Sequence, residues 1–284
     1  MDAHARTVEA NRLAHHVLVW NEGGRETAVL CHGFLDQAAS WRWVAPHLVD
    51  AGLRVVAFDW RGHGDSEHIG RGGYYHFVDY VLDLHELLPQ VASAPVHLVG
   101  HSMGGSACAL FAATHGDALR TLTLIEGLGP PHEDRPAPEK VEHWVASVGR
   151  VRRRTPTALT DVGDAARRLR ATHRDLGEAL ALELARAATR RGDDGTLRWT
   201  WDPLHRTTSP SVFRAETFLT YLGRIRVPTL IVTGENGYTT EDHARRVGAI
   251  PDAREVQLRG VGHMMHWLAP ERLARALVEH MRPA

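Results

Sequence analysis

Val96-His97-Leu98-Val99-Gly100-His101-Ser102-Met103-Gly104-Gly105 decides the fold. Val96–His101 is a short, strand-like apolar run, and Met103–His115 is a small-residue stretch that reads as a helix. Between them, Gly100-His101-Ser102-Met103-Gly104 fits G-x-S-x-G. In a strand–turn–helix setting, a sharp turn holds the serine Oγ out of the sheet. Glycine flanks that serine because a side chain would clash. The helix N-terminus beneath it favours developing negative charge. Ser102 is therefore the candidate nucleophile.

The same rhythm extends outward in both directions. Thr27–Cys31, Arg54–Asp59, Arg120–Ile125, Pro228–Thr233 and Arg254–Leu258 read as further strands. Ala39–Ala51, Tyr75–Ala92 and Pro270–Met281 read as helices between or after them. Alternating strand and helix implies a parallel sheet covered on both faces. The rhythm breaks at Gly129–Pro131, and the next 80 or so residues read as helical and Arg-rich. The expected organisation is a core of residues 1–129, a helical cap of 130–215, and the rest of the core in 216–284. The arginines of the middle segment (RVRRR at 150–154, AARRLR at 165–170) alternate with acids, as on the solvated face of amphipathic helices.

Composition removes several alternatives. The 284 residues carry 33 Lys+Arg against 34 Asp+Glu, a formal charge of −1, which argues against a nucleic-acid binder and against disorder. Cys31 and Cys108 make no disulfide framework. The polar N-terminus has no signal-like apolar stretch, and no apolar run reaches the ~18 residues of a membrane span. The expected setting is cytoplasmic, with a small-molecule substrate and no nucleic-acid or membrane partner. Oligomeric state leaves no mark in the sequence.

A serine needs a base, and His263 in Gly260-Val261-Gly262-His263 follows the last strand, where flanking glycines let the imidazole be aimed. His266, three residues on, reads as a pocket or surface residue. A metal pair from His263 and His266 would lack carboxylate or cysteine partners at ligand spacing, so no metal and no cofactor are expected. The base needs an acid to fix its tautomer. The usual G-x-x-D place after the next-to-last strand holds Gly234-Glu235-Asn236-Gly237, with glycine where the aspartate would stand. Glu126, in Leu124-Ile125-Glu126-Gly127, sits at a strand C-terminal end, where ligand-facing groups of an α/β sheet belong. It is the favoured acid, with Glu235, Asp242 or no acid at all as alternatives. The backbone N–H groups of Met103 and of Phe34, in His32-Gly33-Phe34-Leu35, are the expected oxyanion donors. His32 is expected to brace that loop by hydrogen bonding, and the Arg61–Ser66 turn to be structural, with Asp65 bonding the backbone.

Together, His32-Gly33-Phe34, Asp59-Trp60-Arg61-Gly62-His63-Gly64-Asp65-Ser66, Gly100–Gly105 and Gly262-His263 closely resemble the α/β-hydrolase superfamily. Tyr74-Tyr75-His76-Phe77 and Leu124–Pro130 are similar to its serine-hydrolase-like esterase branch. The resemblance covers the core but not the helical middle. It implies an eight-stranded, mostly parallel sheet, a helical cap after strand six, and hydrolysis without a cofactor. An acid after strand six is similar to haloalkane dehalogenases. Those enzymes and epoxide hydrolases use an aspartate nucleophile, and Ser102 argues against both. The short H-G-F loop is similar to esterases of small or medium acyl groups. The expectation is a serine esterase that cleaves a carboxylic ester or lactone through an acyl-enzyme. C–C or amide hydrolysis, acyl transfer, or ligand binding without turnover stand as alternatives. The aromatics Trp144, Trp199, Trp201, Phe213 and Phe218 are expected to line a pocket or to form the core of the cap.

Overall fold

A single eight-stranded sheet carries the structure, a computed structural model that describes residues 2–153 and 158–282. Its first half runs β1 (His4–Ala10), β2 (Leu13–Trp20), β3 (Thr27–Cys31), α1 (Ala45–Asp50), β4 (Arg54–Phe58), α2 (Asp79–Val91), β5 (Val96–His101), α3 (Met103–His115) and β6 (Leu119–Ile125). An insertion follows: α4 (Ala137–Arg153), α5 (Val162–Thr172), α6 (Glu178–Ala187), β7 (Thr189–Arg191) and β8 (Leu197–Trp199). The chain then returns through α7 (Ala215–Leu222), β9 (Thr229–Asn236), α8 (His243–Ala249), β10 (Ala253–Gly262), α9 (Met265–Leu268) and α10 (Pro270–Met281). Strand order is β1-β2-β4-β3-β5-β6-β9-β10. β1 pairs β2, and β2 pairs β4, antiparallel; every other neighbour in the sheet is parallel.

The parallel strands are continuous apolar runs because both faces are covered. Along β3, Val29 and Cys31 enter the core beneath α2, α3 and α7, while Ala28 and Leu30 enter the core beneath α1 and α10. Val56 and Phe58 on β4 face the first core, and Val55 and Ala57 face the second. This is the two-residue period of a pleated strand, read out on two sides. Fully burying one such Leu, Val or Phe is worth about 1.5–3 kcal/mol.

Two features depart from the expectation. The antiparallel pair β1–β2 lies before Thr27, the first strand the sequence rhythm marks, and the inserted segment is not wholly helical, since β7 and β8 form a small antiparallel hairpin within it. The reading of Arg154 in the basic run lies outside the described residues. The insertion has its own core of Leu159, Ala165, Leu184 and neighbours, joined there by Met264 and Trp267 from the segment after β10. The insertion is thereby seated on the loop that carries His263.

Candidate active site

Ser102 stands between β5 and α3 with φ 51° and ψ −117°. A non-glycine residue held there costs about 1–3 kcal/mol, and the surrounding contacts impose it. Its N–H donates to Ile125 O at 2.9 Å, and its carbonyl accepts from Ser106 N at 3.1 Å. The turn closes only because Gly104 has no side chain: a Cβ there would lie 2.4 Å from His32 O. Met103 opens α3, so its N–H belongs to the first turn, whose amides lack intrahelical acceptors. Among the described residues, Ser102 Oγ makes no hydrogen bond.

The loop after β3 runs beside this elbow. A Cβ on Gly33 would lie 3.2 Å from Ser102 Cβ. His32 ties the loop down through both ring nitrogens. Trp60 N–H donates to Nε2 at 3.0 Å, so the ring proton sits on Nδ1 and donates to Gly33 O at 2.7 Å. Burial holds His32 below its ordinary pKa, which favours that neutral ring. The next side chain, Phe34, is half exposed.

His263 follows the end of β10, and its Nδ1 lies 2.5 Å from Glu126 Oε2. The carboxylate is fully buried, while the imidazole is 33% exposed. Glu126 follows β6 with φ 45° and is held at both oxygens. Oε1 accepts from Gly234 N and Oε2 from Tyr238 N, each at 2.8 Å. The glycine at 237 now has a physical reason: a Cβ there would stand 1.7 Å from Glu126 Oε1. The missing side chain on the β9 loop is the space the β6 carboxylate fills.

The two alternative acids are engaged elsewhere. Glu235 accepts from Gly260 N at 2.6 Å, and Asp242 accepts from Arg246 Nε at 2.8 Å. Arg246 carries no motif that marks it in the sequence. Fully buried on α8, it donates to Leu128 O at 2.6 Å and Pro130 O at 2.9 Å and lies against the rings of Phe213 and Phe218. It clamps the segment that leaves Glu126 for the insertion. Phe218 belongs to the main core, and Phe213 packs against it.

His266, read from the sequence as a pocket or surface residue, is fully buried, with Nε2 3.0 Å from Asp36 Oδ2. Asp36, His101 and His266 each bring a potential ligating atom within 4.8 Å of the others, a juxtaposition that spacing along the chain does not show. In the Arg61–Ser66 turn, the bracing carboxylate is Asp59, which accepts from Asp65 N at 2.9 Å and from Ala38 N at 2.6 Å. Asp65 itself pairs with Arg190 of the β7–β8 hairpin.

The alpha/beta hydrolase fold family matches residues 28–270, and the chain belongs to that family. A thioesterase domain from the curacin biosynthetic pathway superposes with TM-score 0.88 at 26% identity, covering 98% of this chain and 100% of that one. Epoxide hydrolase A of Mycobacterium tuberculosis is 27% identical over 97% of this chain and 96% of its own. A non-heme chloroperoxidase of Kitasatospora aureofaciens is 36% identical, and a serine hydrolase-like protein of Danio rerio 29% identical, each over 39% of this chain. Those two alignments span only 39% and 34% of the relatives' own lengths. Among the described residues, no helix is long and apolar enough to cross a membrane.

Proposed function

We propose that this hydrolase is a serine esterase that cleaves a carboxylic ester or lactone of a small to medium, largely apolar substrate. The observation that carries the reading is the His263–Glu126 pair at 2.5 Å, with its acid buried and doubly held, linked to a serine on a strained elbow through His101, which precedes that serine and holds the His263 carbonyl at 3.0 Å. Glu126 accepts the Nδ1 proton, so Nε2 of the neutral ring is left as the base. On substrate binding Ser102 Oγ turns onto Nε2; such bonds commonly close only in the Michaelis complex. Oγ attacks the carbonyl carbon as its proton passes to His263. The N–H groups of Phe34 and Met103 receive the oxyanion. His263 then protonates the leaving alcohol, and water attacks the acyl-enzyme through the same base.

An epoxide route would need a carboxylate at position 102 to form an alkyl–enzyme ester, and a serine does not supply one. Thioester cleavage is the second reading. The near-complete superposition on a thioesterase domain favours it, and the same acyl-enzyme serves both. Residues 130–215 form the specificity cap over a core of 1–129 and 216–284. The test is a panel of p-nitrophenyl esters, lactones and acyl thioesters, together with fluorophosphonate labelling. Ser102→Ala and His263→Ala should abolish turnover, and Ser102→Ala should abolish labelling. Full activity in Ser102→Ala would sink the proposal, and a strong preference for thioesters would select the second reading.

A further inference from the structure

Beneath the oxyanion loop, three side chains from three distant parts of the chain meet. Asp36 comes from the loop after β3, His101 from the end of β5, and His266 from α9. Their contacts fix which atoms are free. His101 Nε2 lies 3.0 Å from the carbonyl oxygen of His263. A carbonyl only accepts, so Nε2 carries the proton and Nδ1 of the neutral ring presents a lone pair. That Nδ1 is buried and has no partner among the described residues, and the same holds for Nδ1 of His266. Both rings are essentially inaccessible, at 1% and 0% exposure, and their centroids are 4.5 Å apart. Asp36 Oδ2 accepts from His266 Nε2 at 3.0 Å and from Ser40 Oγ at 2.9 Å, so an ion bound between the carboxylate and that imidazole takes the place of the Nε2 proton.

We propose that Asp36, His101 and His266 form a site for a divalent transition ion of zinc-like chemistry, and that an ion held there blocks the reaction at Ser102. Two imidazoles and one carboxylate are a donor set that suits Zn²⁺, with a fourth position left open. Metal-bound histidines ordinarily give their other N–H to a carbonyl or carboxylate, which is the arrangement His101 makes with His263 O. Ligands of a tetrahedral ion stand roughly 3.4 Å apart. The trio, within 4.8 Å, therefore reaches that geometry by closing inward over about an ångström.

Closing has consequences for the neighbouring site. Asp36 is two residues from Phe34, and its N–H bonds Gly33 O at 3.3 Å. His101 adjoins Ser102 and holds the main chain of His263. An ion that draws the three together moves the oxyanion loop, the elbow and the base loop at once. A shift of about 1 Å at reacting groups costs on the order of 10²-fold in rate. Because the trio is buried, uptake waits on opening of the loop, so inhibition sets in slowly and a chelator reverses it. The inhibition rests on the serine-hydrolase reading, but the uptake of the ion does not.

The experiment uses chelator-stripped full-length protein. Co²⁺ is added and its visible absorption recorded. Zn²⁺ stoichiometry and affinity are measured by competition with a chromogenic chelator, and ester hydrolysis is followed over time after Zn²⁺ addition. One ion per chain, a four-coordinate Co²⁺ spectrum and slow-onset inhibition are expected. His266→Gln and Asp36→Asn should each weaken Zn²⁺ by at least about tenfold. His263→Ala should retain the ion. Circular dichroism melting identifies any variant that fails to fold, and the wild-type spectrum and time course do not depend on the variants. The proposal is overturned if the wild type retains no ion. It is equally overturned if His263→Ala loses the ion while His266→Gln keeps it, which would assign binding to the catalytic pair. A Co²⁺ spectrum from protein with no hydrolytic activity would sink the functional reading and leave the site standing.

Discussion

Gly237→Ala adds one methyl group and should disable the acid 111 residues away. The new Cβ would stand 1.7 Å from Glu126 Oε1, whereas real Cβ atoms essentially never come within 3.0 Å of another heavy atom. Either the carboxylate or the Gly234–Tyr238 loop must therefore retreat by about 1.3 Å, the shortfall between those two distances. The loop cannot retreat without stretching the bonds from Gly234 N and Tyr238 N, and the carboxylate cannot retreat without leaving His263. A misplacement of about 1 Å costs on the order of 10²-fold, and wrongly orienting the base of a Ser-His-acid triad costs about 10⁴-fold. The expected fall in kcat lies between these limits, about 3–5 kcal/mol in the barrier, with KM nearly unchanged. Steady-state ester hydrolysis and the rate of fluorophosphonate labelling should fall together. Gly248→Ala is the control, since its Cβ would meet nothing within 4 Å. Glu126→Asp shortens the acid, so the pair Glu126→Asp with Gly237→Ala should recover part of the loss, a coupling that a double-mutant cycle reads directly. Gly237→Ala with kcat within threefold of wild type would refute the packing argument and the role of Glu126 together.

The acid assignment has a simpler test. Glu126→Gln should lower kcat by at least about 10²-fold, and Glu235→Gln, whose contact is Gly260 N–H, should stay within about twofold; the reverse pattern would transfer the role to Glu235. Acid should destabilise the fold through its buried histidines. Burial pushes His205 down to about 4 and holds His63 and His101 well below their ordinary value. The unfolded chain takes up these protons below about pH 6.5 and the folded chain does not, so stability is intact above 6.5 and falls as pH drops toward 4. The slope is about 1.4 kcal/mol per pH unit for each such group. Urea midpoints at pH 7.5 and 5 measure it, and equal midpoints would contradict it. Arg246→Ala strips donors from Leu128 O and Pro130 O and unpairs Asp242, at a cost of about 3 kcal/mol. That should lower Tm by roughly 6–12 °C, read by calorimetry, and an unchanged Tm would mean that the clamp is idle.

The readable part of this fold is the part whose signals are local. β3, β5 and α3 have the ends their sequence runs suggest, because each is an apolar or small-residue segment bounded by glycine or a polar turn. β1 and β2 are harder to read: β1 is mostly polar, and the apolar run of β2 is interrupted by His15 and His16. β1 alternates on an exposed edge, and β2 places His15 in the interior, where its Nδ1 meets Asp59 O at 3.1 Å. A buried histidine satisfied by a backbone carbonyl cannot be told from an exposed one by periodicity. The cap hairpin was too short to show a period of two.

The site divides along the same line. Ser102 and His263 announce themselves by the glycines beside them, since a serine on an elbow and a histidine on a tight loop after a strand both impose backbone demands nearby in sequence. Glu126 does not. Its environment is assembled from Gly234, Gly237 and Tyr238 on another strand's loop, and what the sequence showed was only the mark of that contact, a glycine at 237 where an acid was awaited. Read physically, that glycine is not a lost catalytic residue. One space between the ends of β6 and β9 can hold one carboxylate, and a side chain entering from either strand excludes the other. A relative with an acid at the position of Gly237 should then have a small residue at the position of Glu126, and a relative with both carboxylates must have a wider gap between the two strand ends. The Asp36–His101–His266 trio is further from legibility still. Its members lie 65 and 165 residues apart along the chain, and only the parallel order β3-β5-β6-β9-β10 brings the loop after β3, the elbow and the base loop to one end of the sheet.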